Sequence, residues 1–158
     1  MKTDLFEFQY RSEIPTAEQY YELFETTGWN KQYQASPQDL LQALQNSWYL
    51  VCVYAGPRLV GFGRVVSDRV LHAMIYDLIV HPEYQQHGIG GEILARLLSH
   101  CREAHIRDVQ LFCAKGVRNF YEKRGFFARS EDAPGMQYRW PDPEQVNQGE
   151  MQTESREA

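Results

Sequence analysis

His81-Pro82-Glu83-Tyr84-Gln85-Gln86-His87-Gly88-Ile89-Gly90-Gly91, entered from a β-branched run and left through a long amphipathic stretch, is the passage whose reading decides the fold. Upstream, Leu71 to Val80 reads as a strand that stops at His81-Pro82, because proline cannot donate to a sheet ladder. Downstream, from Gly88 to Ala104, apolar residues recur at Ile89, Ile93, Leu94, Leu97, Leu98 and Cys101, the spacing of an amphipathic helix. A helix that begins on glycines presents several unpaired backbone N–H groups and the positive end of its dipole to one point, an arrangement suited to phosphate. Glycine is required there because a side chain would block close approach.

The kind of phosphate ligand is narrowed by exclusion. A nucleoside triphosphate loop needs Gly-Lys-Ser/Thr, and this loop holds no lysine. A dinucleotide fingerprint needs GxGxxG after a first parallel strand, whereas Gly88-Ile89-Gly90 is followed by Ile93 at the third glycine position and preceded by antiparallel-type strands. Taken alone, Gly-x-Gly at a helix start is also compatible with an ordinary tight turn.

Working outward, Tyr49 to Tyr54, a turn at Ala55-Gly56-Pro57-Arg58 and Leu59 to Val66 form an antiparallel hairpin, and Ser67-Asp68-Arg69 leads into the third strand. Thr16 to Thr26 is a helix with Tyr20, Leu23 and Phe24 on one face, Thr16 as cap and Gly28 as stop. Ser36-Pro37-Gln38-Asp39 opens a second helix carrying Leu40, Leu41 and Leu44, with Gly28-Trp29-Asn30-Lys31 as loop between the two. Beyond the long helix, Val109 to Cys113 is a short buried strand and Gly116 to Arg124 a helix stopped by Gly125. Phe126 with Met136 to Trp140 supply the last strands. The expected class is mixed α/β (α+β): a mostly antiparallel central sheet flanked by helices.

The chain has 158 residues, 43% of them hydrophobic, the size of one compact domain, which we place at 1–140. Net charge is −5, but from Pro141 onward Asp142, Glu144, Glu150, Glu154 and Glu157 against Arg156 account for −4. Residues 141–158 therefore read as an acidic, disordered tail. The near-neutral body offers no broad basic field, which argues against a nucleic-acid partner. No apolar run reaches the length of a membrane span and the first residues resemble neither a signal nor a transit segment, so the cytoplasm is the expected location. Cys52, Cys101 and Cys113 lack CxxC spacing, so they read as free buried thiols, with neither a disulfide framework nor a metal site.

Gln85-Gln86-His87-Gly88-Ile89-Gly90 resembles the pyrophosphate-loop pattern of the GNAT superfamily of N-acetyltransferases, Gln or Arg, two residues, Gly, one residue, Gly or Ala. Asn119-Phe120-Tyr121-Glu122-Lys123-Arg124-Gly125-Phe126 is similar to the second signature of that family, at the expected distance. The resemblance covers about Trp48 to Trp140. It implies acetyl-CoA as co-substrate, no metal, and a strand pair that splays to admit the pantetheine arm. The backbone of Leu78, Ile79 and Val80 is then assigned to the arm and acetyl carbonyl. Gln86, His87, Gly88, Gly90 and Gly91 are assigned to pyrophosphate, Gln85 to loop shape, Asn119 to cofactor contact, and Tyr121 to protonation of the departing thiolate. Where many members carry Gly and Lys or Arg, this loop has Gln86 and His87, which lowers its fixed positive charge.

The chemistry asks for a base as well. Freeing the lone pair of an alkylamine at neutral pH costs roughly 4 to 5 kcal/mol, so some group must take the proton. Asp77, just before the cofactor-binding stretch, is the carboxylate candidate, directly or through water; His72, or backbone carbonyls with ordered water, are alternatives. Tyr20, Tyr21, Phe24, Trp29 and Tyr33 make the first helices aromatic, and Trp29 and Tyr33 are the candidate acceptor-binding residues. Tyr76 to Val80, Asp108 to Ala114 and Gly135-Met136 are also similar to plastid and cyanobacterial-type serotonin N-acetyltransferases, which implies a small-molecule arylalkylamine or a protein lysine ε-amine as acceptor. A non-catalytic acyl-CoA-binding sensor or interaction module is the rival reading. Pairing through the last strands makes a homodimer the expected assembly.

Overall fold

Residues 7–141 are described by the computed structural model, in two compact units divided between Phe112 and Cys113. The first unit is organised on five strands, β1 (Phe8–Arg11), β2 (Tyr49–Ala55), β3 (Arg58–Ser67), β4 (His72–Val80) and β5 (Asp108–Leu111), in that spatial order. Neighbours are antiparallel up to β4, and β4 pairs with β5 in parallel. A parallel pair needs a crossover, supplied here by α4 (Ile89–Glu103). The remaining helices of this unit are α1 (Ala17–Glu25), α2 (Asn30–Tyr33) and α3 (Pro37–Gln45).

Helices cover both faces of the sheet, which is why β2 and β3 read as nearly continuous apolar runs. On one face Phe62 of β3 meets the ring of Tyr20 of α1 at 4.6 Å, within a core that includes Leu23, Leu44, Cys52 and Ile79. On the other face, Gly61 and Gly63 alternate with Phe62 and let α4 lie directly on the backbone. A Cβ on Gly63 would sit 2.7 Å from Ile93 Cγ2, and one on Gly61 2.8 Å from Ile89 Cγ2. Both short helices begin as read: Thr16 with Gln19, and Ser36 with Asp39, close reciprocal capping boxes. The β3–β4 turn is closed by Asp68, whose Oδ1 accepts from the N–H groups of Val70, Leu71 and His72.

Several expectations are corrected. A first strand, β1, precedes the helices; its Phe8 and Tyr10 alternate with exposed Gln9 and Arg11, the pattern of a half-buried edge. The loop-like Gly28-Trp29-Asn30-Lys31 stretch leads into one helical turn, α2, closed by Gln34 at φ 52°. Cys52 and Cys101 are buried as expected, but Cys113 is exposed. In the second unit, α5 (Arg118–Glu122) is shorter than read, and Phe126 and Met136 to Trp140 form no strand. Phe127, Met136, Tyr138 and Trp140 are largely exposed there, so the apolar alternation that suggested strands has no ladder partner within these residues. The expected acidic tail, Pro141 apart, lies outside the described residues. Among the described residues no helix is long and apolar enough to cross a membrane.

Candidate active site

β4 builds one wall. Its parallel pairing with β5 covers His72 to Ile75, opposite Asp108 to Leu111, and among the described residues β4 then continues to Val80 with a strand neighbour on its β3 side alone. Among the described residues, the other backbone edge from Tyr76 to Val80 therefore carries no strand partner. The register with β3 shifts at the same place: Arg64 faces Tyr76 and Phe62 faces Ile79, so two residues of β4, Asp77 and Leu78, oppose Gly63. This is a β-bulge, and Asp77 adopts a left-handed φ of 53° within it. A backbone edge so presented fits an amide-bearing chain such as pantetheine.

The edge runs into the phosphate-type loop. After the short 3-10 turn Pro82–Tyr84, Gln85 donates from Nε2 to the Val80 carbonyl at 3.2 Å, tying the loop to the end of β4. Gln86 at φ 65° and Gly88 at φ 76° are both left-handed, and Gly88, the N-cap of α4, has no side chain to cap it. The first-turn N–H groups of Ile89, Gly90 and Gly91 therefore lack an intrahelical partner and point out of the helix start. His87 Nδ1 lies 2.8 Å from the Gln85 carbonyl and 3.1 Å from that of Tyr84. Both are acceptors, so this nitrogen carries the proton.

Leu78, Ile79, Val80 and Gln85 line an open cleft of about 190 Å³ together with Thr26, Thr27, Trp29 and Pro82. Trp29 thus faces the expected cofactor edge. Tyr33 is absent from the lining; it sits on α2, 68% exposed, with its ring 6.3 Å from Phe24. Tyr20 and Phe24 are core residues.

Asp77 is engaged by partners from β3 and α1. Its Oδ2 accepts from Arg64 Nε at 2.6 Å and from the Tyr20 hydroxyl at 3.0 Å. Burial, followed by the neighbouring Asp77 carboxylate, raises the pKa of Tyr20 far above the ordinary phenol value, so its hydroxyl stays protonated and donates. Sequence reasoning noted Tyr20 as a helix-face aromatic but linked neither it nor Arg64 to Asp77; a lone arginine between apolar strand residues was the available signal for the latter. His72, the alternative base, lies at the β5-paired end of β4, where its Nδ1 is 3.2 Å from Asp108 Oδ2.

In the second unit, Asn119 and Tyr121 lie on α5. The Asn119 carbonyl accepts from the Lys123 N–H at 3.1 Å, and its side chain is exposed. Tyr121 is half-buried, edge-on to Phe120 at 5.1 Å and to Phe126 at 5.8 Å. Desolvation, then the Cys113 thiol group, pushes its pKa above 10.0, which keeps the phenol in its proton-donating form at neutral pH. Among the described residues no group of three or more His, Cys, Asp or Glu side chains is arranged to hold a metal ion.

The family model of the acetyltransferase (GNAT) family matches residues 14–126, and the chain belongs to that family. It is 35% identical over 98 residues to the uncharacterized N-acetyltransferase ycf52 of Pyropia yezoensis, a match covering 60% of this chain and 56% of that protein. It is 31% identical over 108 residues to the histone acetyltransferase TAP1 of Glycine max, covering 61% of this chain and 47% of that one. The chain thus spans about half the length of these curated relatives. In fold, it superposes with a TM-score of 0.75 on a probable acetyltransferase of unknown function from meticillin-resistant Staphylococcus aureus. That protein is 24% identical, and the match covers 85% of this chain and 100% of that one.

Proposed function

We propose that the protein is an acetyl-CoA-dependent N-acetyltransferase that moves an acetyl group directly to a primary amine, with an arylalkylamine or a lysine ε-amine as acceptor. The observation that carries this reading is the continuity of one surface: the unpartnered edge of β4 runs into the uncapped start of α4, along a cleft that also holds Trp29. The residues present fit the co-substrate. Leu78, Ile79 and Val80 offer backbone groups to the pantetheine arm and acetyl carbonyl. Gln86, His87, Gly88, Gly90 and Gly91 bind pyrophosphate through N–H groups, Gln85 holds the loop, and Asn119 adds a contact from α5.

Acetyl-CoA, when bound, supplies a thioester. Asp77 takes the proton from the incoming ammonium, directly or through water, and the freed nitrogen forms the C–N bond as the C–S bond breaks. Tyr121, kept protonated at neutral pH by its raised pKa, gives its proton to the departing thiolate and is restored by the second proton that the nitrogen sheds as the amide forms. Trp29 packs against the apolar part of the acceptor or faces its cation, with Tyr33 further out. The name of the Glycine max relative supports a protein lysine; the aromatic approach supports an aryl-bearing amine. The cytoplasm and a homodimer complete the proposal, and light scattering returning a monomer would remove the dimer.

The experiment is mass-spectrometric detection of acetyl transfer from acetyl-CoA to a panel of arylalkylamines, polyamines, aminoglycosides and lysine peptides. Transfer to the first or last class supports the reading. Tight cofactor binding with no transfer to any member would favour a non-catalytic acyl-CoA sensor.

A further inference from the structure

We propose that Tyr20 and Arg64 are positioning residues that hold Asp77 in its left-handed conformation, fix the β4 bulge, and thereby set affinity for the acyl-CoA thioester; this rests on the proposed function above. Asp77 is a non-glycine residue at φ 53° inside a strand, a conformation that persists only where the surroundings over-determine it. The surroundings here are specific. Arg64 of β3 and Tyr20 of α1 both donate to the same oxygen of Asp77, at 2.6 and 3.0 Å. Arg64 is itself anchored from the other side, its Nη1 donating to Ser47 Oγ at 3.2 Å just beyond α3, with its guanidinium over the Tyr76 ring at 5.5 Å. The pair is largely buried, with side chains 16% and 19% exposed, and Tyr20 is 1% exposed.

Such a group is a poor way to gain stability, because desolvating two charges offsets most of their attraction and an apolar set would serve as well. Its position in the strand supplies a better reason. Asp77 lies between His72–Ile75, which pair with β5, and Leu78–Val80, which line the cleft. A bulge at this point re-aims everything beyond it, and a strand that relaxed to regular register would turn its next side chains to the opposite face. The hold on one carboxylate oxygen is therefore a hold on the edge offered to the pantetheine arm.

The test is calorimetric titration of acetyl-CoA into Tyr20→Phe, Arg64→Met, the double variant, and Leu44→Ala as a control that loosens the same core without touching Asp77. Tyr20→Phe is expected to weaken binding about tenfold, the scale of one hydrogen bond to a charged group. Arg64→Met should weaken it further, and the double variant no more than Arg64→Met, because both act through Asp77. Leu44→Ala should melt lower yet bind within about twofold of the parent protein. Unchanged affinity in Tyr20→Phe, or an equal loss in Leu44→Ala, would overturn the proposal. If Arg64→Met does not fold, Tyr20→Phe decides alone, since it removes a single oxygen. A parent protein that does not bind acetyl-CoA would instead overturn the proposed function, and this proposal with it.

Discussion

At the scale of single residues, the proposed proton donor and proton acceptor are separable by isosteric changes. Tyr121→Phe keeps the ring against Phe120 and Phe126 and removes only the hydroxyl. Steady-state kinetics should show kcat falling by about 10² to 10⁴ with acetyl-CoA affinity retained. Because burial raises the Tyr121 pKa above the ordinary phenol value, the alkaline limb of kcat that depends on it should lie at higher pH than an exposed tyrosine would give. Asp77→Asn preserves an acceptor oxygen for Arg64 and Tyr20 and a residue tolerant of positive φ, but it cannot take a proton. A fall in kcat with acetyl-CoA binding unchanged supports Asp77 as base; full turnover would assign proton removal to water or backbone carbonyls. Asp77 drew notice in the sequence for its place just before the stretch expected to bind the cofactor. Its connection to Tyr20 and Arg64 was not legible, because they lie 57 and 13 residues away and nothing local links them to it.

At the scale of elements, the glycines of β3 decide how closely α4 approaches the sheet. Gly63→Ala places a methyl 2.7 Å from Ile93 Cγ2 and 3.0 Å from Leu97 Cδ1, both fully buried. Overpacking of this kind costs about 1 to 3 kcal/mol, to be read as a lower midpoint in denaturant unfolding with the slope unchanged. The elements themselves were largely legible. The capped starts of α1 and α3, the hairpin of β2 and β3, and α4 carry local signals strong enough to place them within a residue or two. Two classes of element were not. β1 is four residues long and gains its ladder from β2, some forty positions on, so its alternation was easily passed over. The alternation at Met136 to Trp140 suggested a strand where none forms, because a strand requires a partner edge as well as a pattern.

For the molecule as a whole, burial of ionisable groups predicts how stability responds to alkali. Cys52 lies in the core and burial pushes its thiol from 9.0 to about 12. The folded state then holds this proton more tightly than the unfolded chain. Its contribution is complete below pH 9 and is lost as pH rises toward 12. Tyr20 and Cys101, also raised by burial, act in the same direction. The Tm of the protein should therefore fall as pH rises above 9. In Cys52→Ala the fall should be shallower, whatever that variant's Tm at neutral pH; an identical slope would show that the thiol does not contribute.

By itself the sequence determined the family resemblance, the phosphate-type loop, the succession of most strands and helices and the residues to watch on β4 and α5, because each rests on spacing over a few turns or on a motif whose chemistry is local. Only the tertiary structure decided that β5 leaves β4 after Ile75, that Trp29 lines the cleft while Tyr33 does not, and that Asp77 is held in a left-handed bulge by Arg64 and Tyr20. The physical reason is the same in each case. These are pairings between segments far apart in the chain, fixed by which edges and buried charges find partners when both faces of the sheet are covered, and no local pattern encodes them.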